Sequence, residues 1–191
     1  MNFCSHCGET VILKIPEDDN RQRYVCLSCE MIHYQNPKVV TGCLPVWEDK
    51  ILLCKRAIKP RYGLWTLPAG FMELGETTVE AAARETMEEA NARVNIQGLY
   101  VVINLPQVDQ VFMMFRSQLL DLDFSPGVES LAVELYTKQD IPWDSLAFGT
   151  IRQTLDFFFE DQQTGDYPLH VGDIVKHGDN YSFRPGPAET A

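Results

Sequence analysis

A glycine-containing stretch that runs into an acidic helix places the strongest constraint on how this chain can fold. It covers residues 70–92, and its alanine-rich second half predicts a helix. Residues three and four apart share one helix face, so Glu85, Glu88 and Glu89 are expected to converge. The opposite face, expected to pack towards a core, carries Val79, Ala82, Ala83, Thr86 and Ala90.

Three carboxylates in so small an area repel one another, and Arg84 can pair with only one of them, Glu88, one turn away. A divalent cation resolves this conflict, because Mg²⁺ and Mn²⁺ prefer carboxylate and water oxygens. A solvated acidic face is the alternative for such a helix taken alone. The preceding loop favours the metal, because Gly70 and Gly75 let backbone carbonyls approach an ion without a side chain in the way.

The spacing of these residues resembles the Nudix box, Gly-x5-Glu-x7-Arg-Glu-x2-Glu-Glu-x-Gly. The matching positions are Gly70, Glu76, Arg84, Glu85, Glu88 and Glu89. Asn91 stands where the family has its last glycine, and Thr86 replaces a usual aliphatic residue. Asparagine is the usual second choice for a left-handed helix cap, so the first departure is conservative for the backbone. Neither departure touches the carboxylates.

The resemblance implies an enzyme that hydrolyses a nucleoside diphosphate linked to another group. Its partner would be a small-molecule nucleotide, and its cofactor would be Mg²⁺ or Mn²⁺. Glu85 and Glu89 would be the main metal ligands, Glu88 would help to bind or orient, and the Ala69 carbonyl would be a further ligand. Arg84 would anchor the acidic cluster. Two positions would be structural, namely Gly70 and Glu76.

Two later regions are expected to complete the site. Members of the family often add a distal acid from a later loop, and Glu129 is the candidate, with Glu134 as the second choice. Which carboxylate acts as the base varies across the family. Arg61, Tyr62 and Trp65 belong to a basic and aromatic region just before the box and are expected to contact phosphate and base. An ordinary surface loop is the alternative for this region.

Four of the six cysteines form two pairs near the amino terminus, with 18 residues between the pairs: Cys4, Cys7, Cys26 and Cys29. This spacing predicts a four-thiolate tetrahedral Zn²⁺ site of the zinc-ribbon type, which is structural because no coordination position is left open. Disulfides are one alternative, and ligation by His6 or His33 is another. So short a segment cannot build an adequate core, so zinc would supply much of its folding free energy.

Strand-like runs and helical patterns alternate beyond the ribbon and predict an α/β fold with a mixed sheet between helices. The Nudix resemblance implies an α/β/α sandwich. We expect a zinc ribbon at residues 1–34, a Nudix hydrolase domain at 35–163 and a partly loose extension at 164–191. The extension carries one strand at 169–175, and the last ten residues are expected to be loose.

The formal net charge of −11 argues against a nucleic-acid partner, because such binding needs clustered lysine and arginine. It also means that an anionic substrate needs a metal or a local basic pocket. The sequence shows neither a signal segment nor a long apolar run, so we expect a cytoplasmic protein without a membrane partner. The family resemblance makes a homodimer possible.

Two zinc-ribbon subgroups of the family compete for the substrate. The NADH pyrophosphatase subgroup carries a Ser-Gln-Pro-Trp-Pro-Phe-Pro run after its box, which residues 104–110 lack. Residues 34–37, 63–70 and 144–148 look like the FAD and ADP-ribose pyrophosphatase subgroup. We therefore expect ADP-ribose or FAD, giving AMP plus ribose 5-phosphate or FMN, with NADH as the alternative. A nucleotide-binding or zinc-ribbon docking protein is the non-enzymatic alternative, and the intact acids argue against it.

Overall fold

The computed structural model describes residues 1–177 and 180–186 and divides into two compact units, Met1–Pro37 and Lys38–Ala191. Each unit has its own sheet and its own buried core. Among the described residues, no helix combines the length and the apolar character needed to cross a membrane.

Three short antiparallel strands form the sheet of the first unit: β1 (Val11–Lys14), β2 (Arg23–Cys26) and β3 (Ile32–His33). The sequence predicts the hairpin of β1 and β2, and the structure confirms it. The buried cluster of this unit contains Cys4, Val11 and Cys26. So small a core does not offset the entropy cost of ordering the chain, and the unit therefore needs a further source of stability.

A nine-stranded mixed sheet forms the frame of the second unit. Its strands are β4 (Lys38–Trp47), β5 (Lys50–Arg56), β6 (Trp65–Thr66), β7 (Ala69–Phe71), β8 (Val94–Leu105), β9 (Gln110–Leu119), β10 (Ser130–Tyr136), β11 (His170–His177) and β12 (Asn180–Pro185). Their order is β10-β5-β4-β9-β8-β11-β12, with β6 paired to β5 and β7 paired to β4. The β4–β9 and β8–β11 pairs are parallel, which confirms the expected mixed sheet.

The described residues contain two α-helices, α1 (Thr78–Ala90) and α2 (Gly149–Asp161), which pack on opposite faces of this sheet. Successive side chains of a strand point to opposite faces, and β5 shows the consequence. Leu52 packs with Ala90 of α1, whereas Leu53 shares a core with Leu155 of α2. The expected α/β/α sandwich is confirmed.

The burial of α1 departs from the sequence expectation at two positions. Val79 is exposed although it was expected to face the core, and Glu89 is only 7% exposed although it was expected on an open acidic face. The sheet covers the helix from Ala81 to Ala90. Periodicity sets the angle of each side chain about the helix axis, but the length of helix that the sheet covers is a tertiary property.

The carboxyl-terminal extension is more ordered than expected. β11 confirms the predicted strand and pairs in parallel with β8, and β12 pairs with β11. The expectation of a loose segment over the last ten residues was wrong for residues 182–185, because Ile174 is buried in the main core and Phe183 packs against it. Residues 187–191 lie outside the described residues.

Candidate active site

The acidic helix is held against the sheet by the loop that precedes it. β7 pairs with the middle of β4, and the chain then turns through Gly75, whose φ is +87°, into α1. Thr77 caps the helix, since its hydroxyl accepts a hydrogen bond from the Glu80 N–H and the Glu80 carboxylate accepts one from the Thr77 N–H. This reciprocal capping box fixes the start of the helix, and therefore the direction of the acids two turns later.

Gly70 allows the closest contact between the sheet and the acids. A Cβ atom at this position would overlap the carboxylate of Glu85. The Glu85 side chain is accordingly only 12% exposed, and this burial foremost raises its pKa. The glycine of the motif is therefore required here by space rather than by a turn.

Arg84 joins the loop to the acids. Its Nε and Nη2 atoms donate to the Glu76 carboxylate at 2.6 and 3.0 Å, and Nη2 also donates to the Phe71 carbonyl at 3.1 Å. Its Nη1 atom donates to Glu85 at 2.8 Å and to Glu88 at 3.0 Å. One guanidinium thus orders the loop and compensates two of the three acids.

Glu89 is the most deeply buried acid of the motif. Its carboxylate accepts a hydrogen bond from the Ala69 N–H at 3.3 Å. Burial raises its pKa to about 8, and the charges of Glu85 and Glu129 add to that shift, while the Ala69 N–H and Arg56 oppose it. A buried carboxylate with so raised a pKa lacks sufficient positive charge nearby, and a bound cation would reverse the shift. The carboxylates of Glu85 and Glu89 and the Ala69 carbonyl are oxygen ligands of the kind that Mg²⁺ and Mn²⁺ prefer, so the chemistry of this donor set fits a divalent ion.

Glu88 departs from the expected convergence. Its side chain is 59% exposed and points to Arg84. Among the described residues, the four amino-terminal cysteines are the one group of at least three possible metal-ligating side chains whose ligand atoms lie within 4.8 Å of one another. The structure therefore brings Glu85 and Glu89 to β7 and leaves Glu88 at the rim.

The structure separates the two candidates for the distal acid. Glu129 lies two residues after Gly127, whose N–H donates to the Glu89 carbonyl at 3.0 Å, and its charge raises the pKa of both Glu85 and Glu89. Glu134 follows Val133 in β10, and Val133 packs on the α1 side of the sheet. The Glu134 side chain thus points to the other face, where it accepts a hydrogen bond from the Tyr136 hydroxyl at 2.8 Å.

The basic and aromatic residues before the box lie in different environments. Arg61 and Tyr62 are exposed on the loop between β5 and β6. Trp65 is only 8% exposed and packs edge-on against Tyr136, with ring centroids 5.2 Å apart. Its burial leaves little of the indole ring accessible to a substrate.

Two further residues, one beside Glu89 and one in the loop before α1, escaped the sequence analysis. Arg56 ends β5, lowers the pKa of Glu89 through its charge and lies over the Phe148 ring at 5.2 Å. Phe71 follows Gly70 directly, is 49% exposed and lines a cavity of about 340 Å³ with Lys38, Val39 and Met72. Two features of the sequence were available to predict them. Arg56 is a cation at the end of an apolar run, and Phe71 is an aromatic residue inside the motif.

The cysteines of the first unit form a second candidate metal site. Their sulfur atoms lie within 4.8 Å of one another, with 3.7 Å between Cys4 and Cys29 and 3.5 Å between Cys7 and Cys26. A tetrahedral zinc ion with Zn–S bonds of about 2.3 Å separates its sulfurs by roughly 3.8 Å, so the set fits zinc. All four thiols are free, so the disulfide alternative was wrong.

The two histidines near this cysteine set lie beside it. The His33 Nε2 atom is 3.3 Å from the Cys4 sulfur, and His6 donates its backbone N–H to the same sulfur at 3.4 Å. Backbone N–H groups, that of Cys29 foremost, lower the pKa of Cys26 to about 7, whereas the pKa values of Cys7 and Cys29 are raised in the metal-free set.

A capped acidic helix against a mixed sheet, together with a four-cysteine ribbon, is the arrangement that the Nudix resemblance of the sequence implies. Family models match this chain accordingly: a Nudix N-terminal zinc ribbon at residues 2–35 and a NUDIX domain at residues 36–126. The chain therefore belongs to the Nudix hydrolase family and is an enzyme of that family.

Individual relatives agree with this assignment. An ADP-ribose pyrophosphatase from Methanocaldococcus jannaschii is 30% identical over 119 residues, which are 60% of this chain and 69% of the relative. An NAD-capped RNA hydrolase NudC from Photobacterium profundum is 29% identical over 144 residues, 72% of this chain but only 50% of that relative's length. The crystal structure of a NUDIX hydrolase from Nitrosomonas europaea is 58% identical with a TM-score of 0.90, covering 92% of this chain and all of that one.

Proposed function

We propose that this protein is a metal-dependent pyrophosphatase that hydrolyses a nucleoside diphosphate linked to another moiety, with ADP-ribose or FAD as the preferred substrate. The observation that carries the proposal is the pair of buried acids, Glu85 and Glu89, beside Gly70 and within the field of Glu129. A carboxylate buried in this way is costly to ionise unless a positive charge lies beside it, and a bound cation would supply that charge.

In this proposal Glu85 and Glu89 hold Mg²⁺ or Mn²⁺ together with the Ala69 carbonyl, and Glu88 helps to orient them. The ion would neutralise phosphate oxygens and make water a better nucleophile near neutral pH. Water adds to one phosphorus, the bridging P–O bond breaks, and a carboxylate of the site takes up the released proton. With ADP-ribose the products are AMP and ribose 5-phosphate.

The loop residues would position the reaction rather than take part in it. Arg84 and Glu76 keep the loop and helix in register through their hydrogen bonds at 2.6 and 3.0 Å. Glu129 would be the distal acid. A misplacement of about 1 Å in such a site can cost on the order of 100-fold in rate, which makes this support important.

Three residues outside the acidic cluster would bind the nucleotide. Arg56 lies near Glu89 and carries a charge that suits a phosphate. The half-exposed ring of Phe71 beside an open cavity suits stacking with a base. Lys38, whose Nζ lies 5.0 Å from the centroid of that ring, adds positive charge to a chain of net charge −11.

The second candidate substrate is NADH or another molecule with NAD at its end. It is favoured by the zinc-ribbon match and by relatives named NAD-capped RNA hydrolase. The acidic balance of the chain disfavours a long RNA partner. The two candidates differ in the group beyond the diphosphate, so a direct comparison separates them.

The test is product chromatography on ADP-ribose, FAD, NADH and an NAD-capped oligonucleotide with Mg²⁺ or Mn²⁺, for the wild type beside E89Q. We expect AMP from ADP-ribose or FAD, and at least about 1,000-fold less from E89Q, since a ligand of the proposed ion is lost. Turnover of NADH alone would favour the second candidate. Equal turnover by wild type and variant would overturn the proposed site.

We further infer that the protein works in the cytoplasm as a homodimer. A zinc ribbon needs reduced thiols, and the cytoplasm supplies the reducing conditions that keep them. Cell fractionation tests the location, and light scattering of the purified full chain tests the dimer. Recovery in an oxidising compartment or a monomeric mass would contradict the respective statement.

A further inference from the structure

The residue that departs from the motif, Asn91, makes contacts that a glycine cannot make. It ends α1 in the left-handed conformation, with φ 47° and ψ 28°, and its backbone N–H donates to the Met87 carbonyl. Its side-chain Nδ2 atom also donates across 34 residues to the loop that follows β9. The acceptors are the Ser125 carbonyl at 3.1 Å, the Ser125 hydroxyl at 3.2 Å and the Pro126 carbonyl at 3.3 Å.

The same loop closes the end of the helix with its backbone. The Ser125 N–H donates to the Ala90 carbonyl at 2.9 Å, and the Gly127 N–H donates to the Glu89 carbonyl at 3.0 Å. These are carbonyls of the last turn, which have no partner within the helix. A Cβ atom on Gly127 would overlap the Glu88 carbonyl, so the loop lies directly on the helix that carries the acids.

The other end of the loop is tied to the sheet. The Glu129 carbonyl accepts a hydrogen bond from the Ala57 N–H at 2.8 Å, and the Ser130 N–H donates to the Gly127 carbonyl at 3.1 Å. Between these ties the side chains of Pro126 and Val128 are exposed and add no apolar packing. Phe124 packs against the core just before the loop and Ser130 is buried just after it, so between these two anchors hydrogen bonds set the position of Glu129.

We propose that Asn91 is a positioning residue that holds the loop Ser125–Glu129 on the end of α1, and so keeps the Glu129 carboxylate beside Glu85 and Glu89. The kinetic part of this inference rests on the proposed hydrolase function, whereas the contact itself does not. A cap alone does not require these hydrogen bonds, because glycine adopts the left-handed conformation at lower cost. If Asn91 served only as a helix cap, N91G would leave the site intact. If Asn91 positions the loop, N91G will damage the site.

The experiment compares N91G, N91D and G127A with the wild type in the full-length protein. N91G removes the donor and keeps the backbone conformation, N91D replaces the donor by an acceptor facing three oxygens, and G127A pushes the loop from the helix. The matched control is D109G, because Asp109 is another non-glycine residue at positive φ, 52°, that caps a short helix elsewhere.

Hydrogen exchange of the Ser125 and Gly127 amides reports the contact independently of activity. We expect these amides to exchange about tenfold faster in N91G, and faster still in N91D and G127A, because one or two hydrogen bonds are lost. Mn²⁺ affinity, measured by electron paramagnetic resonance, should fall by about 3- to 10-fold. D109G should change neither quantity. Unchanged exchange in N91G would overturn the inference.

The kinetic readout separates positioning from general stability. We expect kcat of N91G to fall about 5- to 20-fold with KM nearly unchanged, and no further fall when N91G is added to E129Q. Additive effects of N91G and E129Q would overturn the inference. A wild type inactive on every nucleotide would overturn the proposed function instead, and the exchange rates and Mn²⁺ affinities would then decide the inference by themselves.

Discussion

The two candidate metal sites of this protein are built in opposite ways. In the first unit four sulfur atoms lie within 4.8 Å of one another in a segment whose buried cluster contains few side chains. In the second unit Glu85 and Glu89 come from one helix pressed against a large sheet, with Arg84 bridging two of the acids of the motif. The fold of the ribbon thus depends on its metal ligands, whereas in the second unit the fold brings the candidate ligands together.

This difference predicts what each unit loses without its metal. A zinc ribbon gains its folding free energy from the ion, because its apolar core is too small. The second unit has a core that includes Leu44, Leu53, Met114 and Leu155, and under the proposed function its ion would serve chemistry rather than folding. The following experiments test the contrast, from the largest expected effect to the smallest.

Loss of one ribbon ligand should abolish the order of the first unit alone. We expect C26S to lose its zinc, a contribution of about 10–16 kcal/mol in structural zinc sites. Amide exchange should become fast throughout residues 10–33, while the main melting transition moves little. C43S is the control, because Cys43 is buried in the second unit, outside the ribbon set. Retained zinc in C26S would contradict the four-thiolate assignment.

A methyl group at Gly70 should damage the second site without unfolding it. G70A drives a Cβ into the Glu85 carboxylate, so we expect kcat/KM to fall about 100- to 1,000-fold, with a modest change in melting temperature. The matched control is G98A, because Gly98 has open space where its Cβ would stand. Equal activities of the two variants would show that the Glu85 position does not matter.

The buried charge of Glu89 should make the metal-free protein sensitive to pH. Its pKa is raised from 4.5 to about 8 in the folded chain, so the folded state binds the proton more tightly than the unfolded state. The unfolding free energy is therefore highest below about pH 4.5 and falls as pH rises towards 8, by about 4 kcal/mol from this group, of which about 3 kcal/mol falls between pH 5.5 and 8.

Denaturant unfolding of wild type and E89Q in chelator, at pH 5.5 and 8, measures this contribution. The fall between these two pH values should be smaller in E89Q, because glutamine carries no proton to lose. Excess Mg²⁺ should also reduce it in the wild type, since the ion binds the ionised acid. An identical pH dependence of the two proteins would show that Glu89 is not an uncompensated charge.

Removal of the Phe71 ring should have the smallest effect. We expect F71A to raise KM about tenfold with little change in kcat, since a stacking contact contributes to ground-state and transition-state binding alike. F71Y should restore the wild-type KM. The control is L74A, because Leu74 is fully exposed in the same loop. An unchanged KM in F71A would remove Phe71 from the substrate site.

Local patterns were sufficient for the ribbon and for the frame of the second unit. The cysteine pairs and the alternation of strand-like runs with helical patterns each depend on neighbours in sequence, and the structure confirms these elements. The sequence also identified the segment that carries the acids, whereas the roles of these acids stay predictions. The proximity of Arg56 to Glu89 and the pairing of the β11–β12 hairpin with β8 were harder to predict, because the partners lie far apart in the sequence.

The sequence by itself determined that a glycine, an arginine and three glutamates share one loop and one helix, since spacing along a helix sets which side chains share a face. Only the tertiary structure decided that Glu89 is buried, that Glu88 is exposed, and that Glu129 rather than Glu134 lies near the acids. The reason is physical: burial, charge and hydrogen bonding depend on the surface that packs opposite each residue, and that surface comes from strands and loops distant in the chain.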